Sequence, residues 1–89
     1  MNRRDREDVT AQTDALDKAR RDLAERLDDL ATDAADAART LRRGKRPPTR
    51  AVLDLALDHV HMSHRSVNRA EEALDLAAHD LHTAQGGDA

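Results

Sequence analysis

The 89-residue sequence contains neither cysteine nor any aromatic residue. Without cysteine, the chain has no thiol nucleophile, no disulfide framework and no cysteine-ligated zinc site. Without aromatic rings, it has no stacking platform of the kind that holds single-stranded nucleic acid. Glycine and proline are scarce, with three and two residues, so few positions interrupt regular backbone. These absences leave one small domain, residues 1–89, built mainly from charged residues, alanine and leucine.

The sequence also lacks a long apolar segment. No stretch reaches the roughly 18 apolar residues that a membrane-spanning helix needs. The paired arginines near its start, Arg3 and Arg4, are not followed by the apolar region of an export signal. We therefore expect a cytoplasmic protein that has no membrane partner.

Charged residues make up 37% of the chain, but cations and anions nearly cancel to a net charge of −3. Disordered chains typically combine few large apolar residues with a high net charge, and this chain meets only the first condition. Its 17 alanines and 11 leucines are strong helix formers. The composition is typical of long helices and coiled coils.

Apolar residues in the first half recur every seven residues. A second set of positions, four residues after the first, makes the spacing alternate between four and three. The first column is Val9, Leu16, Leu23, Leu30 and Ala37. The second column, four residues later in each repeat, is Thr13, Arg20, Leu27, Ala34 and Leu41, and a flanking column is Ala24, Ala31 and Ala38. Such spacing keeps one side of a helix turned towards a partner helix. It predicts helix 1 over about residues 5–43, with both main columns in the contact.

The second half repeats the pattern and predicts helix 2 over about residues 49–84. Its main column is Leu53, Val60, Val67, Leu74 and Leu81. One flank is Ala56, Ser63, Ala70, Ala77 and Ala84, and the other is Leu57, His64, Glu71 and Ala78. We expect the large apolar side chains of both helices to hold the pair closed.

A basic turn at residues 44–48 separates the two predicted helices. Gly44 suits the left-handed position after a helix, and Pro47 and Pro48 cannot continue one. Thr49 can cap helix 2, and residues 85–89 form a flexible tail. The predicted fold is all-α, a two-helix antiparallel coiled-coil hairpin that assembles into a four-helix bundle.

Three polar residues, Arg20, His64 and Glu71, occupy positions in or beside the predicted contact. In an antiparallel hairpin folded at this turn, facing residues have numbers that sum to about 91–95. Arg20 then lies near Glu71, and the two either form a desolvated pair that fixes the register or leave Arg20 extended into solvent.

Helix 2 carries a further apolar line at Val52, Leu55, Met62 and Leu76, which the contact with helix 1 does not cover. Scattered apolar residues on a surface are normal. A continuous line is instead a second contact face, either for a four-helix dimer or for a different protein. We favour a contact face over scattered surface residues.

Chemical candidates are few. His59, His61 and His64 are weak candidates for a metal site, because imidazoles three residues apart share a helix side. Solvent-exposed histidines are the alternative, and helix 1 has no histidine to complete a site. We expect no cofactor and no catalysis, because a lone hairpin has no enclosing pocket.

The predicted turn and its flanks form a basic tip with the candidate residues Arg42, Arg43, Lys45, Arg46 and Arg50. Cations at the end of a helix offset its dipole, which accounts for Arg42 and Arg43. The tip also suits docking on an acidic protein or on phosphates.

In outline, the sequence resembles the small helical hairpins of the WXG100 type, which implies two antiparallel amphipathic helices. Their motifs are absent, because the turn has Arg43-Gly44 and the chain has neither tryptophan nor tyrosine. The sequence predicts a non-enzymatic helical protein–protein interaction module, self-associating or acting as a small subunit or adaptor. The alternatives are a metal- or pH-responsive regulator that uses the histidines, and an antitoxin-like or nucleic-acid-associated protein that uses the basic tip.

Overall fold

The computed structural model describes residues 3–44 and 46–86, with side-chain surroundings from Arg6 onwards. Two α-helices, α1 (Arg3–Arg42) and α2 (Arg50–Ala84), pack against each other, and the described ranges contain no strand. The all-α hairpin is therefore confirmed. Its principal extents are 68 × 17 × 15 Å, so the molecule is a rod. Lys45 of the predicted tip and residues 87–89 of the predicted tail lie outside the described residues.

The helix ends follow from local backbone chemistry. After α1 ends at Arg42, the Arg43 N–H still donates to the Arg39 carbonyl at 2.9 Å, and Gly44 adopts a φ of +84°. Glycine adopts this positive φ readily because it has no Cβ atom that would clash with the backbone. Thr49 is the N-cap of α2, and its hydroxyl accepts a hydrogen bond from the Val52 N–H at 3.3 Å. The helix itself consequently begins at Arg50, one residue after the predicted start.

The side of α2 that faces α1 is the predicted one. Its main column of leucines and valines is buried or half-buried, and so is its column of small residues. The small residues are Ala56, Ser63, Ala70, Ala77 and Ala84. The other predicted flank is exposed along its whole length, with Leu57 at 42% exposure.

The contacting side of α1 differs from the prediction in one of its two columns. The column from Val9 to Ala37 is buried or half-buried, as expected. The second column lies three residues later in each repeat, not four. Gln12, Ala19, Asp33 and Thr40 of this column are half-buried, and Arg26, at the same position of its repeat, is exposed. The predicted residues Thr13, Arg20, Leu27, Ala34 and Leu41 are all exposed, Leu27 by 47% and Leu41 by 49%.

The small residues of α2 explain this difference. They lie on one side of the α2 leucines, so a neighbouring helix approaches most closely on that side. In an antiparallel pair the matching column of α1 is then the polar one that contains Asp33 and Thr40. Steric fit therefore overrides the greater hydrophobicity of Leu27 and Leu41.

Of the two alternatives for Arg20, the structure shows the one in which its side chain extends into solvent. Arg20 is exposed and its Nη1 lies 3.8 Å from Oδ1 of Asp17 on the same helix, so it does not pair with Glu71. Glu71 and His64 are exposed as well. The polar contact that joins the helices is a hydrogen bond from the Ser63 hydroxyl to the Asp33 carboxylate. This pair lies within about one residue of the expected antiparallel register.

The core between the helices is thin. Ala37, Val67 and Ala70 are the buried residues in the described part of the chain, at 7%, 8% and 5% exposure. Seven large apolar side chains are more than 40% exposed, namely Leu27, Leu41, Val52, Leu55, Leu57, Met62 and Leu76. The hairpin alone thus leaves much of its apolar surface in water.

Candidate functional site

The predicted partner-binding residues form a surface that we name the α2 line: Val52, Leu55, Met62 and Leu76. Their exposures are 44%, 60%, 63% and 61%. All four lie on the side of α2 that borders its column of small residues, because positions separated by 3, 7 and 14 residues fall on one side of a helix. The structure therefore places all four together on one face of the rod, outside the contact with α1.

Shallow grooves between the helices run along this face, and their charge alternates. The groove nearest the tip holds Val52 and Leu55 beside Asp33 and Asp36, with His59 at its edge. The middle groove holds Met62 beside three arginines and one carboxylate, which are Arg26, Arg65, Arg69 and Asp29. The groove nearest the open end holds Leu76 beside Asp22, Asp80 and Lys18. From tip to open end the grooves are acidic, basic and acidic.

Two intrahelical ion pairs moderate this pattern without removing it. Arg26 Nε lies 3.5 Å from Asp22 Oδ1, and Arg39 pairs with Asp36. All four side chains are between 44% and 62% exposed, so water screens both pairs. The carboxylates remain accessible to a cation from a docked chain.

The opposite face of the rod carries a second apolar surface that the sequence analysis missed. We name it the α1 stripe: Ala24, Leu27, Ala31, Ala34, Ala38 and Leu41. Ala38 is half-buried and the others are exposed. The stripe was assigned to the contact with α2 because it repeats at the same spacings of three and four. The signal that distinguishes it is a complete lack of charge over 18 residues on that helix side.

The α1 stripe has uncharged neighbours on α2. Leu57, His61 and His64 lie on the same face of the rod, because corresponding flanks of two antiparallel helices fall on one side. All three are exposed. The half of this face nearest the tip is therefore an apolar surface bordered by imidazoles and by the ion pair of Arg50 and Asp54.

The three histidines proposed as metal ligands do not converge. His59 borders the groove beside Asp33 and Asp36, whereas His61 and His64 lie on the opposite face. Within residues 3–44 and 46–86, no group of three or more histidine, aspartate or glutamate side chains is placed to hold a metal ion. The three histidines are therefore divided between two faces of the rod.

The basic tip is reduced by local pairing. Arg50 Nε lies 3.2 Å from Asp54 Oδ1 one turn further along α2, which offsets the unfavourable position of a cation at a helix N-terminus. Arg42, Arg43 and Arg46 are exposed, and none of them forms an ion pair with another described residue. Among its described residues, the tip therefore offers a partner three guanidinium groups that form no ion pair.

In the described segments, neither helix is long and apolar enough to cross a membrane. Comparisons of the chain with protein-family models, with curated proteins and with solved structures gave no match.

Proposed function

We propose that this chain is a non-enzymatic helical interaction module of the cytoplasm, a small subunit or adaptor that binds a helix of another protein along the α2 line. The observation that carries the proposal is the imbalance of burial. Of the residues that the structure describes, three are buried and none of these is larger than valine, while seven large apolar side chains are more than 40% exposed.

The exposed residues of the α2 line are numerous enough to drive association. Burying one large apolar side chain contributes roughly 1.5–3 kcal/mol. Single exposed leucines are ordinary, but a continuous apolar surface bordered by polar residues is typical of a contact site. The four side chains of the α2 line lie at intervals along three successive grooves, Val52 and Leu55 in one, Met62 in the next and Leu76 in the third.

The shape of the grooves favours a helical partner. A groove between two antiparallel helices accepts a third helix that presents apolar residues at intervals of three and four. The charges along the grooves define the partner further, since they run acidic, basic and acidic. A complementary helix has cations near both ends and a carboxylate near its middle. Two such partner helices, or a helical hairpin, complete a four-helix bundle.

The same grooves argue for binding over catalysis. They are shallow channels open to solvent along a rod, and none encloses a substrate as catalytic pockets do. An extended open channel suits a long, regular ligand such as a helix.

A designed peptide tests the proposal. The probe is an amphipathic helix with leucines on one side, lysines near both ends and a glutamate at its centre. Its matched control reverses every charge. We expect the first peptide to bind at least about tenfold more tightly in fluorescence anisotropy, because the grooves complement its charges.

Variants locate the binding surface. Leu55→Glu/Met62→Glu should abolish binding of the preferred peptide, whereas Leu57→Glu, on the opposite face, should leave it unchanged. Equal binding of the two peptides, or equal loss in both variants, contradicts the assignment.

The basic tip gives a second candidate function. Arg42, Arg43 and Arg46 are exposed and unpaired among the described residues, as phosphate-binding cations usually are. Salt-sensitive binding of duplex DNA or RNA, lost when all three are changed to alanine, would favour it. Binding that does not depend on salt or on these arginines would exclude it.

A further inference from the structure

We propose that the α1 stripe is a homodimer interface for a second copy of this chain. The two rods overlap along the halves nearest their tips, and the tips point in opposite directions. This surface lies on the face opposite the α2 line, so the inference goes beyond the proposed function and does not depend on it.

The absence of charge selects a second copy as the occupant. In a two-fold symmetric contact, a charged patch near the axis meets its own copy, and two patches of one sign at equal distances from the axis meet each other, so such a face repels itself. The α2 line has such patches, and a symmetric antiparallel pairing of its grooves would bring acidic end to acidic end and basic middle to basic middle. The α1 stripe itself contains no carboxylate, lysine or arginine, and on the α2 side of this face the charged residues are Arg50 and Asp54, which pair with each other, and Glu71.

The stripe is also complementary to itself in side-chain size. In an antiparallel pairing of two α1 helices whose facing residues sum to about 65, Leu27 lies opposite the partner's Ala38. Leu41 then lies opposite the partner's Ala24, and Ala31 opposite the partner's Ala34. Every layer pairs a leucine with an alanine or two alanines.

The same docking places the two α2 helices side by side, and it brings charges of opposite sign together at the edge of the contact. Given the hairpin register, facing α2 residues then sum to about 121. Leu57 lies opposite the partner's His64, and Arg50 lies opposite the partner's Glu71. Arg50 is 88% exposed at its side chain, so it can reach Glu71 while it stays within 3.2 Å of Asp54, and Glu71 is exposed and forms no ion pair with another described residue. Each dimer thus gains two complementary ion pairs at its margins.

A dimer with both tips at the same end fits less well. It would place Leu41 against the charged pair Arg50 and Asp54, and Leu27 against the amide of Asn68. Apolar side chains would then cover polar groups without satisfying them. The arrangement with opposite tips avoids both contacts.

The size of the contact sets the expected affinity. An overlap of about 30 Å along a rod 17 Å wide amounts to roughly 1,000 Å² over both copies. This is the lower end of specific interfaces, so we expect dissociation constants in the micromolar range.

Sedimentation equilibrium across the micromolar range tests the dimer. The natural chain should show monomer and dimer in exchange. Leu27→Asp should weaken dimerisation at least about a hundredfold, because each dimer loses two buried leucines and gains two carboxylates. Leu55→Asp, at a similarly exposed leucine on the opposite face, should leave the dimer unchanged. Circular dichroism below the dissociation constant checks that Leu27→Asp still folds, and Leu57→Glu repeats the test from α2.

Crosslinking tests the geometry, because the chain has no cysteine of its own. Ala34→Cys should give a covalent dimer with a short bismaleimide, and Ala15→Cys, exposed on the opposite face, should not. A chain that stays monomeric at high concentration, a dimer broken by Leu55→Asp, or preferential crosslinking through Ala15→Cys would each overturn the inference. Peptide binding to the α2 line is measured separately, so either proposal can fail alone.

Discussion

Along their contact, α2 presents leucines and valines beside a column of alanines and one serine, whereas α1 presents leucines beside a column that is mostly polar. The polar column includes Gln12, Arg26, Asp33 and Thr40. The small residues of α2 determine on which side α1 approaches. The α1 residues that face them therefore enter the contact even though most are polar. The lesson is that one regular helix can fix the packing of a less regular partner.

The largest effect on the free energy of unfolding is expected for a substitution in the column of small residues on α2. Ala70 is 5% exposed, and Ala70→Glu would bury a carboxylate without a partner. We expect it to lower the free energy of unfolding by more than about 3 kcal/mol, measured by thermal circular dichroism. Ala78→Glu, at an exposed alanine on the same helix, should change it by less than about 0.5 kcal/mol. Equal melting of the two variants would show that α2 does not form the contact described.

The next effect separates the two candidate columns of α1. Leu23 is half-buried against α2, while Leu27 is 47% exposed. At concentrations below dimerisation, Leu23→Asp should lower the free energy of unfolding by about 2–3 kcal/mol and Leu27→Asp by less than about 1 kcal/mol. Urea unfolding measures both. The reverse order would restore the column of Leu27 and Leu41 to the contact inside the hairpin.

Making α1 more like α2 should stabilise the hairpin. Arg26 stands in the polar column, with its side chain 47% exposed and an ion pair to Asp22 that contributes little. Arg26→Leu should raise the free energy of unfolding by about 1 kcal/mol, because it extends the apolar contact.

The matched control for that variant is Arg20→Leu. Arg20 also pairs with an aspartate on its own helix but lies outside the contact, with its side chain 70% exposed. It should have little effect on urea unfolding. Stabilisation by Arg20→Leu alone would mean that the polar column lies elsewhere.

The smallest effect concerns the hydrogen bond that joins Ser63 and Asp33 across the contact. Ser63 donates to Asp33 in a partly buried setting. A double-mutant cycle with Ser63→Ala and Asp33→Ala should give a coupling energy of about 1 kcal/mol, the usual net value of such a hydrogen bond. A coupling energy near zero would show that water satisfies both groups as well as they satisfy each other.

Much of this fold was readable from the sequence because local chemistry determines it. Gly44, Thr49 and the two prolines marked the turn, and the seven-residue repeat of α2 named its contact side correctly. The α2 line was also predicted, because four large apolar residues cannot share the side of α2 that faces α1.

The second column of α1 could not be read in the same way. Hydrophobicity favoured Leu27 and Leu41, but the approach side depends on the small residues of α2, which are distant in sequence. The α1 stripe was hidden for the same reason, since it had been assigned to the interior. The charges beside the α2 line were likewise invisible until α1 was placed next to it.

The antiparallel register has a consequence for how the rod opens. Contacts near the tip join residues close in sequence, such as Ala37 and Ala56, whereas contacts at the open end join residues as distant as Gln12 and Ala77. Closing a longer loop costs more chain entropy, although the cost grows slowly with length. The hairpin should therefore zip from its turn and fray from its open end, so that amide hydrogens exchange fastest and proteases cut first around Val9 and Leu81.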